Sequence, residues 1–162
     1  MYKYHLSLGS NIEPRLGHLK QAARQLNDLG SILAKSSIFA TSPWGFKDQP
    51  EFYNAILYLK SRYSPVHLLE KIKEIEYGMG RQSPVRWGPR IIDIDIIWCE
   101  SIRIHEASLS VPHPRFHERR FVLEPLRELT DALHMNDEII RVSDLLLNCT
   151  DQSTVQKIAA AW

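Results

Sequence analysis

Cysteine is nearly absent from this chain: Cys99 and Cys149 are the only two in 162 residues. Two thiols cannot make a disulfide framework, and such sparing use fits a reducing cytosol. No apolar run is long enough to span a bilayer, and the opening MYKYHLSLGS lacks the form of a signal peptide. Charge of one sign is not in excess either. Lys and Arg number 20 against 19 Asp and Glu, a formal net charge of +1 that calls for neither nucleic acid nor an acidic membrane surface. There is no internal repeat, no low-complexity segment and no GxxxxGKS or GxxxxGKT loop, which excludes a repeat architecture and a P-loop enzyme. What remains is 44% hydrophobic and 24% charged, an ordinary globular composition at a length that predicts one domain with a real core.

The order of elements follows from hydrophobic periodicity. Tyr2 to Leu8 alternates Tyr2, Tyr4, Leu6 and Leu8 on one face, a first strand closed by Gly9-Ser10-Asn11. Pro14 suits the first turn of a helix in which Leu16, Leu19, Ala23 and Leu26 share a face, with Gly30 as its stop. Ile32 to Phe39 reads as a second strand, Thr41 to Pro50 as a loop and Phe52 to Tyr63 as a third strand. Ser64-Pro65 opens a second helix with Leu68, Leu69, Ile72 and Ile75 buried, and Gly78 to Pro89 is irregular. Ile91 to Trp98 is the fourth strand. The order βαββαβ predicts an α+β, ferredoxin-like fold: an antiparallel sheet covered by two helices. A hairpin near Ile102 to Val111 follows, then a loop running into a helix that Pro125 should end or kink. Short helices are expected at Val142 to Leu147 and Val155 to Ala161.

The fourth strand, IIDIDIIW, carries the chemistry. Alternation puts Ile92, Ile94, Ile96 and Trp98 on one face, and Ile91, Asp93, Asp95 and Ile97 on the other. The two carboxylates are then roughly 7 Å apart along the strand, in apolar surroundings that require a positive partner. Oxygen ligands of this kind suit magnesium completed by phosphate and water; the plainer alternative is a solvated pair, or one satisfied by arginines. Arginines are at hand on both sides: Arg81, Arg86 and Arg90 before the strand, Arg115, Arg119 and Arg120 after it. Guanidinium forks suit phosphate, so the pattern points to a polyphosphate held through metal. His113 and His117 have zinc-compatible spacing, but no third ligand of matching character is evident. His113 is read as a phosphate contact. Phe52 and Asn54 share a face of the third strand, where a ring beside an amide can stack on a flat heterocycle and read its edge; Phe121 could supply the opposite ring.

Together, LGSN at Leu8 to Asn11, TSPWGFKDQPEFYNA, IEYGMGR, RWGPRIIDIDI and VPHPRFHERRFVLEPL resemble the 6-hydroxymethyl-7,8-dihydropterin pyrophosphokinase family across nearly the whole chain. The resemblance implies transfer of the β,γ-pyrophosphoryl group of ATP to the pterin hydroxymethyl oxygen, with AMP leaving, as a step in folate biosynthesis. It implies two magnesium ions on Asp93 and Asp95. It assigns Arg81, Arg90, His113 and Arg119 to phosphate, Arg86 and Trp87 to a mobile loop over the nucleotide, and Glu76, Ile96 and Ser110 to the nucleotide side. Phe52, Phe121, Asn54, Thr41, Pro43 and Trp44 fall to the pterin, with Trp87 closing over it. It further implies two lids, at 43–50 and 78–89, and a cytoplasmic monomer acting on small molecules, with neither nucleic acid nor membrane as partner. QSPV between Arg81 and Arg86 is shorter than in some members, and Ser108 stands where some carry arginine near the adenosine, which bears on ATP affinity. A nucleotidyltransferase is disfavoured because Gly9-Ser10 lies far from Asp93, and an RNA-binding sheet because no aromatic RNP-like string is present.

Overall fold

The computed structural model describes residues 1–42, 50–80 and 89–162. Its main sheet has six strands: β1 (Tyr2–Ser10), β2 (Gly30–Lys35), β3 (Ile38–Thr41), β4 (Phe52–Ser61), β5 (Asp93–Cys99) and a late addition, β10 (Val155–Ala159). β1 lies between β4 and β5, β4 pairs with both β2 and β3, and every pairing is antiparallel. This is the expected ferredoxin-like order. Helices α1 (Arg15–Asp28) and α2 (Pro65–Gly78) cover one face. There Tyr4, Leu6, Leu8, Leu57, Leu59, Ile92, Ile94 and Ile96 meet Leu19, Ala22, Leu26, Leu68 and Ile72. Burying each such aliphatic side chain contributes about 1.5–3 kcal/mol. Within α1, Ala22 is buried and Leu16 exposed, so the inward stripe lies slightly off the expected one.

The second face is covered only in part. Between two small hairpins sits α3 (Arg120–Leu129): β6 (Ile104–His105) with β7 (Ser110–Val111) precede it, β8 (Ala132–Met135) with β9 (Glu138–Arg141) follow, and then comes α4 (Val142–Asn148). Ile56, Ile97 and Trp98 of the sheet pack under Phe116, Val122, Leu123 and Leu126. The rest of that face, toward the end of β1 and the starts of β4 and β5, is left for a cavity.

Four local expectations change. The second strand is two, broken at Ser36-Ser37: the Ser36 hydroxyl accepts the Ile56 amide at 2.8 Å in the ladder's place, and the Ser37 amide donates to Glu128 of α3 at 2.6 Å. Trp98 does not share a face with Ile96. His5 and Leu6 of β1 face Trp98 and Ile96, so Ile97 is an extra residue, and this bulge turns Trp98 to the α3 side. Pro125 does not end its helix, which runs on to Leu129. Finally, 155–159 is a strand, because the outer edge of β3 offers unpaired backbone groups that outweigh any local helical preference. The β8–β9 hairpin was not anticipated; Asn136, at φ 52°, supplies the left-handed residue of its turn.

His5 is buried on the second face, stacked on Tyr58 at 4.7 Å, and the Tyr58 hydroxyl donates to Glu100. Burial pulls the His5 imidazole down to about 4, with Glu100 opposing. An unfolded chain titrates this group near 6.5. Its contribution to stability is therefore complete above about pH 6.5, is lost as pH falls toward 4, and levels off below. The expected loss is on the order of 2–3 kcal/mol. Urea unfolding between pH 7 and 4.5 should show a shallower pH slope for His5→Gln than for wild type; equal slopes would contradict this assignment.

Candidate active site

The open part of the second face holds a cavity of about 410 Å³. Its floor is sheet: Ser7 and Gly9 from β1, Thr41 from β3, Phe52 and Asn54 from β4, Asp93 and Asp95 from β5. Its other wall comes from the segment leading into α3: His113, Pro114, Arg115, Arg119 and Phe121. Thus the structure brings together Asp93, Asp95, Arg90, Thr41, Phe52, Asn54, His113, Arg119 and Phe121 from the sequence-derived set. Pro43, Trp44, Arg81, Arg86, Trp87 and the QSPV stretch lie outside the described residues.

Gly9 makes the floor possible. A Cβ there would meet Asn54 Oδ1 at 3.0 Å, so any larger residue would press the Asn54 amide out of place, while the Phe52 ring at 3.7 Å would be in ordinary contact. Asn54 Nδ2 donates to Thr41 Oγ1 at 2.7 Å, which fixes the amide's orientation. Phe121, at the start of α3, faces the same cavity and has the Arg119 guanidinium 5.8 Å from its ring centre.

The acidic pair is supported from several directions. Asp93 Oδ1 accepts Arg90 Nη1 at 2.7 Å, and Arg119 Nη1 stands 3.8 Å from Asp95 Oδ2. The Asp93 and Asp95 side chains remain 27% and 37% exposed, enough to meet a ligand. Burial and the neighbouring Asp93 charge push the Asp95 carboxyl above its ordinary range, against the pull of Arg119 and Lys73. Burial also draws the Arg119 guanidinium down, Asp95 opposing, but a guanidinium stays cationic.

His113 is held at about 4, first by burial and then by Arg119 and Arg115, so it is neutral at pH 7. The Arg115 amide donates to His113 Nδ1 at 3.1 Å. In the neutral ring the proton is therefore on Nε2, and His113 offers a donor rather than a charge.

Three residues expected near a nucleotide are not among those that line this cavity. Glu76 is fully buried behind β5, where Oε1 accepts the Ile94 amide at 2.8 Å and Oε2 takes Lys73 Nζ at 2.7 Å. β5 is an edge strand, and Glu76 caps an edge amide between the two aspartates. Ile96 is in the helix-side core, on the face away from the cavity. Ser110 sits on β7 with its hydroxyl 3.3 Å from His105 Nδ1.

Sequence reasoning missed Ser7, Ser42, Pro114 and the roles of Gly9, Arg115 and Asn11. Asn11 is buried and joins the residues flanking both undescribed stretches. Its Oδ1 accepts the Arg90 amide at 2.7 Å, its own amide donates to Arg90 O at 3.1 Å, and Nδ2 donates to Pro50 O at 3.5 Å. An asparagine just after a strand was the available signal.

Residues 5–131 match the family model described as 7,8-dihydro-6-hydroxymethylpterin-pyrophosphokinase. The chain is similar to the 2-amino-4-hydroxy-6-hydroxymethyldihydropteridine pyrophosphokinase of Bacillus subtilis, 42% identical over 127 residues that cover 77% of this chain and 76% of that one. The enzyme of the same name from Methylorubrum extorquens is 38% identical over 143 residues, 87% and 90% of the two chains. Among solved structures, Plasmodium falciparum HPPK-DHPS crystallised with pteroate shares the fold with a TM-score of 0.71 at 17% identity. That match covers 90% of this chain and 42% of the larger one, so this chain spans under half its length. By its motifs, its sheet order and this match over residues 5–131, the chain belongs to the 7,8-dihydro-6-hydroxymethylpterin-pyrophosphokinase family.

Proposed function

We propose that this chain transfers the β,γ-pyrophosphoryl group of ATP to the hydroxymethyl oxygen of 6-hydroxymethyl-7,8-dihydropterin and releases AMP. The observation that carries the reading is a single cavity in which two rings and an oriented amide stand beside a carboxylate pair flanked by arginines. Phe52 and Phe121 sandwich the pterin, and Asn54, braced by Thr41, accepts from its edge. Arg90, Arg119 and the neutral His113 bind phosphate oxygens; Arg81, Arg86 and Trp87, by resemblance, complete the nucleotide grip. By resemblance, Glu76, Ile96 and Ser110 belong to the nucleotide side.

Asp93 and Asp95 fit magnesium by donor type: hard carboxylate oxygens that open on a cavity where phosphate can complete the shell. They would hold two ions, and bound magnesium would neutralise phosphate charge and favour in-line transfer. The chain's own task is positioning. It aligns acceptor hydroxyl and phosphate, excludes water and keeps charge in place, which accounts for most of catalysis in phosphoryl transfers. The chain works as one domain, a monomer, in the cytoplasm.

Nucleotide analysis tests the reaction. With magnesium and ATP, AMP should appear only when the pterin is added; ADP, or AMP independent of the pterin, would overturn the reading. Removing one stacking ring should cost about 1–3 kcal/mol, roughly 5- to 150-fold in affinity. Phe121→Ala should therefore weaken pterin binding by that factor in a fluorescence titration while leaving ATP binding within about threefold. Equal losses for both ligands would remove Phe121 from the pterin site.

A further inference from the structure

A segment outside the family-matched residues 5–131 contacts both α3 and β3, which flank the cavity. After α4 the chain turns back along α3, and Asp151 becomes buried there. Asp151 Oδ2 accepts the amide of Arg120 at 2.9 Å, and Oδ1 accepts the amide of Ser153 at 2.9 Å. Arg120 is the first residue of α3, whose opening amides have no acceptor within the helix. Its N-cap residue, Arg119, makes no side-chain cap and the first turn holds no acidic residue. Asp151 thus supplies from 31 positions away the acceptor and negative charge that helix starts need. The residues on either side of Arg120 are Arg119 and Phe121, both in the cavity wall.

The same segment then binds the opposite wall. Val155 of β10 pairs with Thr41, the residue that orients Asn54. Lys157 contacts Glu128 of α3 at 2.6 Å, and Glu128 in turn accepts the Ser37 amide at the start of β3. A short stretch therefore ties the Phe121 side of the stacking site to the Thr41–Asn54 side.

We propose that Asp151 is a positioning residue for the stacking site, setting the placement of Phe121 opposite Phe52 and Asn54 although it does not touch the ligand. This rests on the proposed pterin reading. The test uses steady-state kinetics and hydrogen exchange on the full chain. In Asp151→Ala, exchange at the first turn of α3 should quicken, and the KM for the pterin should rise at least fivefold with that for ATP changed less than twofold. Asp151→Asn, which keeps one carbonyl acceptor, should fall between wild type and alanine. Should the alanine variant not fold, the asparagine variant decides: a pterin KM raised at least twofold supports the role, and an unchanged one overturns it. In a double-mutant cycle, Phe121→Ala should raise the pterin KM by a much smaller factor in the Asp151→Ala background than in wild type. Full multiplication of the two effects, or a lowered thermal midpoint with unchanged pterin KM, would leave Asp151 a structural cap only and overturn the proposal. A wild-type chain that releases no AMP with the pterin would instead strike the proposed reaction; an active wild type with an indifferent Asp151 strikes this inference alone.

Discussion

Two like charges on one face of one strand are the constraint around which this molecule is arranged. Carboxylates about 7 Å apart repel by roughly 2 kcal/mol at an effective dielectric near 20. Arg90 holds the first carboxylate, Asp93, at 2.7 Å and Arg119 stands 3.8 Å from the second, Asp95. Burial first, and then the Asp93 charge, still raise the proton affinity of Asp95 against the pull of Arg119 and Lys73. The strand itself is at the sheet edge, where backbone amides lack a neighbouring strand, and Glu76 closes one of them between the aspartates. Removing an acceptor so that a buried amide is left unpaired costs about 1–3 kcal/mol. Edge position, buried acid and flanking arginines thus form one arrangement that keeps the pair fixed yet open to the cavity.

The sheet's two faces divide the labour. The α1–α2 side is dry and periodic, and it fixes the register of β1, β4 and β5. On the other side α3 covers only the middle, over Ile56, Ile97 and Trp98, so the adjoining ends of the strands become a floor. The bulge at Ile97 is what allows Trp98 to join that cover while Asp93 and Asp95, earlier in the strand, stay in the site. Gly9 and Asn54 then set the floor's depth, since a methyl at position 9 would stand 3.0 Å from the Asn54 carbonyl oxygen.

The core order was legible because alternation in Tyr2–Leu8 and Phe52–Tyr63, and helical spacing in Leu68–Ile75, encode which face is buried. Phe52 with Asn54, and Asp93 with Asp95, were legible for the same reason: a period of two places each pair on one face. What escaped is non-local or aperiodic. A bulge leaves no period to read, so Trp98 was assigned the wrong face. β10 exists because β3 has a free edge, and Asp151 caps a helix far along the chain; neither follows from its own neighbours. Glu76 could be read as an acid but not as one facing a backbone amide. The Asn136-Asp137 turn was there to be read and would have revealed β8–β9.

The most direct measurement on the acidic pair is the count of divalent cations it holds. Manganese, a spectroscopic stand-in for magnesium, can be titrated by electron paramagnetic resonance with the chain and a non-hydrolysable ATP analogue. Two ions per chain are expected in wild type, with at least one lost in Asp95→Asn while the protein stays folded. One ion in wild type, or a count unchanged by Asp95→Asn, would contradict the reading of Asp93 and Asp95 as a two-metal site.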